Sequence, residues 1–365
     1  MADTPVTSSG VAIYNATPTV TVDSQAKPIV NAQLVAMEMR ESTGGLTSME
    51  LRFGNFGSFE NGHASFVFED DAVLKLGAEI EVSGGDQSGQ TALFKGRISA
   101  IEGRYSAENP PELVVLAEDA LQAARMKRRS KVHENVTLAD LVSNVAATCA
   151  LTPKTDGLSD NVGTHVQLNE SDLAFVRRIL ARYDVDLHVV KTELHAAPLS
   201  HIQRNQIQLS IDGKARRARV IADLAHQVTA VEYSGWDFQQ GQVITASRHG
   251  NPPGPGAGRA GSEILQQSFG ERAEQLAQVS VRNSAEGQAV VDAEWEQRSR
   301  RFVTLHATTE GNPDLRVGSH LEMTGLGARF SNTYYVVETV HRYDQEHGYE
   351  TDVIAECAYL GSGAA

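Results

Sequence analysis

The chain has 365 residues, of which 41% are hydrophobic and 21% charged, an ordinary balance for a soluble protein of about two or three domains. Its net charge of −14 argues against general nucleic-acid binding, because phosphate groups would be repelled. No apolar run reaches the roughly 18 residues of a membrane helix, and the N-terminus lacks the features of a signal peptide. The distant cysteines, Cys149 and Cys357, predict buried core residues in a reducing compartment rather than a disulfide.

The first part of the chain alternates strand-like runs with turn residues. Residues 1–17 are polar and predict a loose N-terminal segment. From Thr19 onward, runs such as TVTVD, LVAMEMRES and SMELRFG are punctuated by Gly, Asn, Asp and Pro, which is typical of strands and turns. Residues 18–125 are therefore predicted to form a first β domain.

The pattern then changes, and residues 126–225 predict an inserted α/β unit. Thr137 and Asp140 have the spacing of a capping box at the start of a helix. The apolar face of this helix is expected to comprise Leu138, Leu141, Val142, Val145 and Cys149. Just before it, RMKRRSK at residues 125–131 is interpreted as a solvated connector, with a contact to an acidic neighbour as the alternative.

Residues 168–190, LNESDLAFVRRILARYDVDLHVV, predict a second helix followed by a strand. Asn169 is the expected N-cap, and Leu168 and Leu173 are placed for a hydrophobic staple around it. The residues after the helix alternate as in a strand, so His188 is expected to face away from the core. Folding alone explains the segment, without a catalytic role.

Residues 226–365 predict a second β domain, with a loop and helix insertion around residues 250–300. The run NPPGPGAGRAGS is predicted to be a flexible loop. A helix is expected to begin at Asn283, with Glu286 completing a capping box and Trp295 on its face.

Two segments of the predicted β domains are similar to each other. LKLGAEIEVSG at residues 74–84 and LRVGSHLEMTG at residues 315–325 coincide at four of eleven positions, and most of the other pairs are conservative. A long alternating strand, a polar turn and another strand follow each of them. Two ordinary β-hairpins that agree by chance are the alternative. We favour an internal duplication of a β domain, with the helical unit inserted between the copies.

The sequence predicts no catalytic, cofactor-binding or metal-binding residues. GAGRAG at residues 256–261 matches the dinucleotide fingerprint, but it lies in a Pro-rich loop rather than in a βαβ unit. His341, Asp344, Glu346 and His347 are close in sequence, but a polar β-turn explains them more simply than a metal site does.

Four segments, in chain order, resemble phage tail baseplate hub proteins. LFKGRISAIEG, followed by a strand and AEDAL, resembles their first β domain, and ENVTLADLVSNVA is similar to their first inserted helix. QLNESDLAFVRRILARYDVDLHVV is similar to a segment of phage late control protein D, of the hub part of type VI secretion spike proteins and of the T4-like baseplate hub. YYVVETVHRYDQEHGYETDV resembles their closing strands, so the resemblance covers about residues 15–360.

The resemblance implies an α+β, mainly β fold with two duplicated tail-tube-like β-barrel domains and a small inserted α/β unit. It also implies a homotrimer whose six barrel domains adapt the hexameric tail tube protein to a trimeric spike. Other baseplate proteins, and DNA or protein cargo in the lumen, are the further partners. Because the chain stops just after the second β domain, the spike is expected to be a separate protein. No enzymatic activity, cofactor or membrane-spanning segment is expected.

The expected location is the baseplate of a phage tail or extracellular injection particle, assembled in the bacterial cytoplasm. Negative groups on the inner wall of the ring would let acidic cargo slide without sticking. Three alternatives stay open. A β-rich receptor- or sugar-binding module would need exposed aromatic residues clustered on one face, whereas aromatic residues are only 6% of this chain. A tail-associated peptidoglycan hydrolase would need a carboxylate pair in a deep groove, and the hub of a type VI secretion system would be a protein of the same class.

Overall fold

A computed structural model describes residues 17–58, 64–86 and 89–361, so the segment predicted to be loose lies, apart from Thr17, outside the described residues. The fold is mainly β, as predicted, and most of its strands belong to one large sheet of 13 strands. The described strands of this sheet do not close into a barrel. Two arrays of strands, one from each end of the chain, make up the sheet.

The first array comes from the N-terminal part of the chain. Its elements are β1 (Thr19–Val22), β2 (Gln25–Ala26), α1 (Pro28–Gln33), β3 (Leu34–Ser42), β4 (Ser48–Gly54), β5 (Gly57–Ser58), β6 (Ala64–Ser65), β7 (Glu79–Asp86), β8 (Gly89–Arg104), β9 (Glu112–Glu118) and α2 (Gln122–Arg125). In the sheet the strands follow the order β3-β4-β9-β8-β7-β1. Met49, Leu51 and Phe53 of β4 are buried and alternate with half-buried residues, so one face of the array packs on the core.

The inserted unit packs two helices against short sheets. Its elements are β10 (Arg128–Thr137), α3 (Leu138–Thr148), β11 (Thr152–Thr155), β12 (Asn161–Ser171), α4 (Asp172–Ala181), β13 (Val185–Val190), β14 (Glu193–Pro198) and a 3₁₀ turn (Leu199–His201). The capping box predicted for α3 is confirmed, because Thr137 Oγ1 accepts from the Asp140 N–H and the Asp140 carboxylate accepts from the Thr137 N–H. The predicted apolar face of α3 is buried.

The predicted start of the second helix is wrong by two residues. Ser171, not Asn169, is the N-cap of α4, and its Oγ accepts from the Ala174 N–H. The β10–β12 ladder continues to Ser171, which keeps Asn169 in the strand with a left-handed φ of 51°. Leu168 is 70% exposed, so the expected hydrophobic staple does not form.

His188 does not face away from the core as predicted. It is buried in β13, stacks on His195 of the paired strand β14, and lies 3.2 Å from an Asp186 carboxylate oxygen through Nδ1. The first four residues of β13 are all buried, because the strand is covered on both of its faces. Simple alternation therefore fails for this strand.

The second array comes from the C-terminal part of the chain. Its elements, with a small side sheet and helices inserted between them, are β15 (Gln206–Ser210), β16 (Ala215–Ala222), β17 (Ala230–Asp237), β18 (Gln242–His249), β19 (Arg259–Ala260), α5 (Gly261–Phe269), β20 (Ala273–Gln275), α6 (Ser284–Arg300), β21 (Val303–Glu310), β22 (His320–Thr324), α7 (Gly327–Phe330), β23 (Asn332–Asp344), β24 (Gly348–Cys357) and β25 (Tyr359–Leu360). The side sheet has the order β18-β17-β20 and packs on α6.

The start of helix α6 was predicted correctly from the sequence, whereas helix α5 was not predicted. Asn283 caps α6 by accepting from the Glu286 N–H, and Trp295 is fully buried. The Glu286 carboxylate turns instead to the Arg282 N–H, so the predicted box is only half formed. Helix α5 begins at Gly261, inside the run predicted to be a loop. The prediction of a loop therefore extends two residues too far, into the first turn of this helix.

The two arrays have the same strand order. The second array follows β16-β21-β24-β23-β22-β15, which corresponds strand for strand to β3-β4-β9-β8-β7-β1. The direction differs at one end, where β15 runs parallel to β22 but β1 runs antiparallel to β7. The two similar sequence segments lead into and form β7 and β22, the corresponding strands of the two arrays.

Candidate functional site at the junction of the two arrays

The two arrays are joined by an antiparallel pairing of β3 with β23. Met37 lies opposite Tyr343, and Met39 lies opposite His341. Tyr343 and Tyr349 from the C-terminal part of the chain belong to the core of the first array. The two arrays are therefore joined in one continuous sheet and share a core.

Glu41 is the central polar group of this junction. It is 4% exposed, and its carboxylate accepts from Arg316 Nε and Nη2 at 2.9 and 3.0 Å and from Arg204 Nη1 at 2.9 Å. The backbone N–H of Val317 also donates to it at 3.1 Å. Arg316 further donates to the Leu93 carbonyl at 3.0 Å. One buried carboxylate thus ties β3 to the segment that leaves the inserted unit and to the loop before β22.

The charges of this cluster stabilise one another. Burial would raise the pKa of Glu41, but the charges and hydrogen bonds of Arg316 and Arg204 outweigh it and hold that pKa well below its usual range. Burial would lower the pKa of Arg316, but Glu41 outweighs it and raises that pKa above its ordinary value. The carboxylate is therefore ionised and paired throughout the neutral range.

His341 lies next to this cluster and is fully buried. Its Nδ1 is 2.9 Å from the Tyr349 hydroxyl and 3.1 Å from the Thr351 hydroxyl. Burial, and then the charge of Arg316, lower the pKa of His341 to about 3, so the ring is neutral. Its chemistry is that of a hydrogen-bonded core residue.

The other three residues considered with His341 form a hairpin turn. The Asp344 carboxylate accepts from the backbone N–H groups of Glu346 and His347 at 2.9 and 2.7 Å. This is the polar β-turn that the sequence indicated. Among the residues that the structure describes, no group of three or more His, Cys, Asp or Glu side chains is arranged to hold a metal ion.

The fingerprint GAGRAG leads into α5 without forming a dinucleotide-type turn. Gly256 and Gly258 have φ values of 99° and 117°, and the two-residue strand β19 pairs antiparallel with β25. A Cβ at Gly258 would lie 2.1 Å from the Leu360 carbonyl oxygen, so this glycine allows a close approach of two backbone segments. A strand of a parallel βαβ unit does not precede α5.

The basic run RMKRRSK forms the end of α2 and the start of β10. Arg125 pairs with Glu118, and Arg129 pairs with Asp172 at 3.1 Å. The lysines of the run are exposed. Both alternatives, a solvated connector and a contact with an acidic neighbour, fit this placement.

An acidic cleft of about 460 Å³ lies between the inserted unit and α6, and its lining includes Asp160, Glu286, Asp292 and Glu296. Arg182 and Arg282 neutralise Glu286 at 3.1 and 2.9 Å. Burial raises the pKa of Glu296, although a hydrogen bond from Ser200 opposes this. The hydrolase alternative would place its carboxylate pair in this cleft.

Our interpretation of the sequence missed Glu41, Arg204 and Arg316. A signal for Glu41 was present, since Met37, Met39 and Glu41 alternate along β3 and so share the core face. A glutamate at such a position needs a buried cation. No local pattern indicates its partners, which come from segments at least 163 residues away.

The fold is that of phage tail proteins and of a related type VI secretion component. The 43 kDa tail protein of prophage MuSo2 from Shewanella oneidensis is 9% identical, with 93% of this chain and 98% of that chain covered and a TM-score of 0.68. The tail protein from Neisseria meningitidis MC58 is 12% identical over 95% and 100% of the two chains, with a TM-score of 0.64. The E. coli c3393 protein is 12% identical over 95% and 79%, with a TM-score of 0.57, and is described as a type VI secretion component similar to T4 tail proteins gp27 and gp5.

The chain belongs to the family described as the Alg8 N-terminal domain, whose model matches residues 17–345. The search of curated proteins returned no match. Among the described residues, none of the helices combines the length and the apolar character needed to cross a membrane.

Proposed function

We propose that this protein is the structural, non-enzymatic hub of the baseplate of a contractile phage tail or a phage-tail-like injection particle. In this role a homotrimer joins a hexameric tail tube to a separate trimeric spike and contacts other baseplate proteins. The observation that carries the proposal is the matching strand order of the two arrays. Three chains with two such arrays each present six similar units to the tube and three to the spike.

The division of the chain follows from the same proposal. Residues 18–125 and 226–365 would form the tube-like domains, and residues 126–225 would hold the inserted unit. Strands β15 and β16 lie before residue 226 but belong to the second array, so they would go with the second tube-like domain. The likeness to the Shewanella and Neisseria tail proteins supports this reading, because it spans nearly the whole chain. The barrel itself would form only in the ring, because the sheet of one chain is open.

Cargo would pass along the face of the large sheet that points away from the core. Arg40 pairs with Glu38 on this face, and Arg342 pairs with Asp352. Glu50 lies opposite Glu38 in the neighbouring strand, and Glu338 shares the face. Arg52, Arg217 and Arg219 lie on this face too, so the support for a negative wall is the net charge of −14 of the whole chain. Such a surface would repel DNA or acidic protein cargo weakly and so keep it mobile.

The test is native mass measurement of the purified chain, alone and mixed with its tube and spike proteins. A species of three copies that binds both partners is the expected result. A monomer that binds neither would refute the hub proposal.

Two alternatives make different predictions. A type VI secretion hub would have the same fold, as the E. coli protein indicates, and would be distinguished by the tube protein that it binds. A peptidoglycan hydrolase would use the acidic cleft, and it predicts a lytic band on a peptidoglycan gel that disappears in Glu296→Gln.

A further inference from the structure

We infer that the free edge of β16 pairs, antiparallel, with residues 100–106 of a second copy of this chain, in a register that places Ile221 opposite Glu102. This inference rests on the proposed function, because it names the contact that would join the protomers of the trimer. It follows from the junction inside the chain, where the corresponding segments already pair.

The two arrays correspond at the level of single hydrogen bonds. The Gly77 N–H donates to the Ile98 carbonyl at 2.8 Å, and the Gly318 N–H donates to the Val336 carbonyl at 2.9 Å. Both glycines have left-handed φ values, 81° and 83°. The β-bulge between Ile98 and Ala100 also recurs, between Val336 and Glu338.

The same holds for the first strand of each array. Strand β3 has a bulge between Leu34 and Ala36 in its pairing with β4, and β16 has one between Ala215 and Arg217 in its pairing with β21. Strand β16 therefore corresponds to β3 with a shift of 181 in residue number (215 − 34). Strand β8 corresponds to β23 with a shift of 238 (336 − 98).

The internal junction uses the outer edge of β3 and the second half of β23. No described strand of the same chain pairs with the corresponding edges. Strand β16 is the last strand of the large sheet and pairs only with β21 among the described strands. Beyond Ile98, β8 pairs on one side with β9, whereas its pairing with β7 stops at Arg97. Unpaired edges of this kind are templates for another strand.

The register follows from the two shifts. Val340 lies opposite Arg40 in the internal junction. The corresponding residues are Glu102 and Ile221, so these two would face each other between copies. By the same shifts Tyr105 would lie opposite Ala218, as Tyr343 lies opposite Met37 within the chain.

Side-chain exposure distinguishes the used junction from the unused one. Tyr343 is 9% exposed, whereas the corresponding Tyr105 is 68% exposed. Tyr105 packs edge-on against Phe66, which in turn packs against Phe56, and both of these rings are also exposed. On the opposing edge, Ala218, which would lie opposite Tyr105, is half-buried, whereas the corresponding Met37 is 2% exposed. An aromatic cluster is thus uncovered where the second copy would sit.

The contact joins two different surfaces of the chain, so it is head-to-tail. Such a contact repeats until the copies close into a ring, or it continues as a filament. Closure at three copies is what the hub proposal requires. The contact itself does not depend on that number.

Disulfide trapping in the purified full chain tests the register. In the variant Glu102→Cys/Ile221→Cys the two thiols would lie directly opposite, at a Cα separation of about 4.5–5.5 Å that a disulfide can span. Cys149 and Cys357 are buried and contribute little background. The mismatched control is Glu102→Cys/Arg219→Cys, shifted by two residues along β16. The positive control is Arg40→Cys/Val340→Cys, the corresponding pair inside the chain, which should close an internal disulfide under mild oxidant.

The expected result is disulfide-linked trimers from the matched pair, with at least about tenfold less linkage from the shifted pair. If native mass shows a trimer and the positive control closes, but the matched pair does not link, the register is wrong and the hub proposal stands. If the matched pair fails to link and the chain is a monomer, both are overturned.

A second variant gives an independent measurement. Tyr105→Ala should leave the unfolding midpoint of the monomer unchanged, because the ring is exposed, and should weaken self-association by at least about tenfold. Equal self-association of Tyr105→Ala and the wild type would overturn the assigned contact.

Discussion

Replacing Glu41 by glutamine should destabilise the chain by about 3–5 kcal/mol, because it leaves two guanidinium groups beside a neutral amide in a buried site. The carboxylate now accepts three hydrogen bonds from Arg316 and Arg204 at 2.9–3.0 Å and one from the backbone of Val317. A glutamine side chain keeps one acceptor oxygen and adds an N–H group that faces cations. Most of the expected cost is that of buried positive charge without a counter-charge.

The matched control is Glu38→Gln on the same strand. Glu38 pairs with Arg40, but both side chains are substantially exposed, at 34% and 58%. Losing this surface pair should cost no more than about 1 kcal/mol. Urea unfolding of both variants at pH 7, followed by intrinsic fluorescence and by circular dichroism, gives the free energies of unfolding.

The choice of pH follows from the lowered pKa of Glu41. A carboxyl group whose pKa is lower in the folded state stabilises the fold fully above its unfolded pKa of about 4.5, and this contribution is lost as the pH falls toward the folded value. At pH 7 the whole effect is therefore measured. A Glu41→Gln variant no less stable than Glu38→Gln would show that the buried cluster does not hold the two arrays together.

Three further outcomes are expected. His341→Gln should remove a pH dependence: the wild type should lose about 2 kcal/mol relative to this variant between pH 7 and pH 5, because a pKa lowered from 6.5 to about 3 disfavours folding as the unfolded histidine takes up a proton, and equal losses in the wild type and the variant over this range would contradict the prediction. Ser171→Ala should cost about 1 kcal/mol in a urea titration through loss of the N-cap of α4, and an unchanged midpoint would contradict that assignment. Glu50→Gln combined with Glu338→Gln should slow ejection in particles that assemble normally, and an unaltered ejection rate would argue against an acidic channel wall.

The elements that the sequence predicted well are decided by neighbouring residues. The capping box of α3 and the N-cap of α6 each involve residues within four positions of one another, so the local sequence is enough to predict both caps. The expected position of the second N-cap was wrong because the ladder with β10, a strand some 40 residues earlier, extends β12 to Ser171. A local pattern contains no information about such a partner.

The candidate site shows the same limit more strongly. The sequence placed His341 with its neighbours in the turn, but the pleat sends its side chain into the core and leaves Asp344 and His347 at the surface. The glutamate at a core-facing position of β3 is visible in the sequence, whereas its arginines are brought to it by the meeting of the two arrays. The similarity of residues 74–84 and 315–325 was the one long-range relation that the sequence indicated. These segments contain β7 and β22, which occupy corresponding positions in the two arrays.

Because Tyr343 and Tyr349 belong to the core of the first array, this core cannot be completed until the end of the chain has been synthesised. The ribosome makes these tyrosines roughly 220 residues after the end of the first array, which at about 5–20 residues per second is a delay of some 10–45 s. Throughout that interval the N-terminal strands have emerged, but the edge of β3 has no partner and its apolar face is incomplete. The nascent chain is therefore most prone to aggregate before its last strands arrive, and a fragment that ends near residue 125 should depend on chaperones or precipitate.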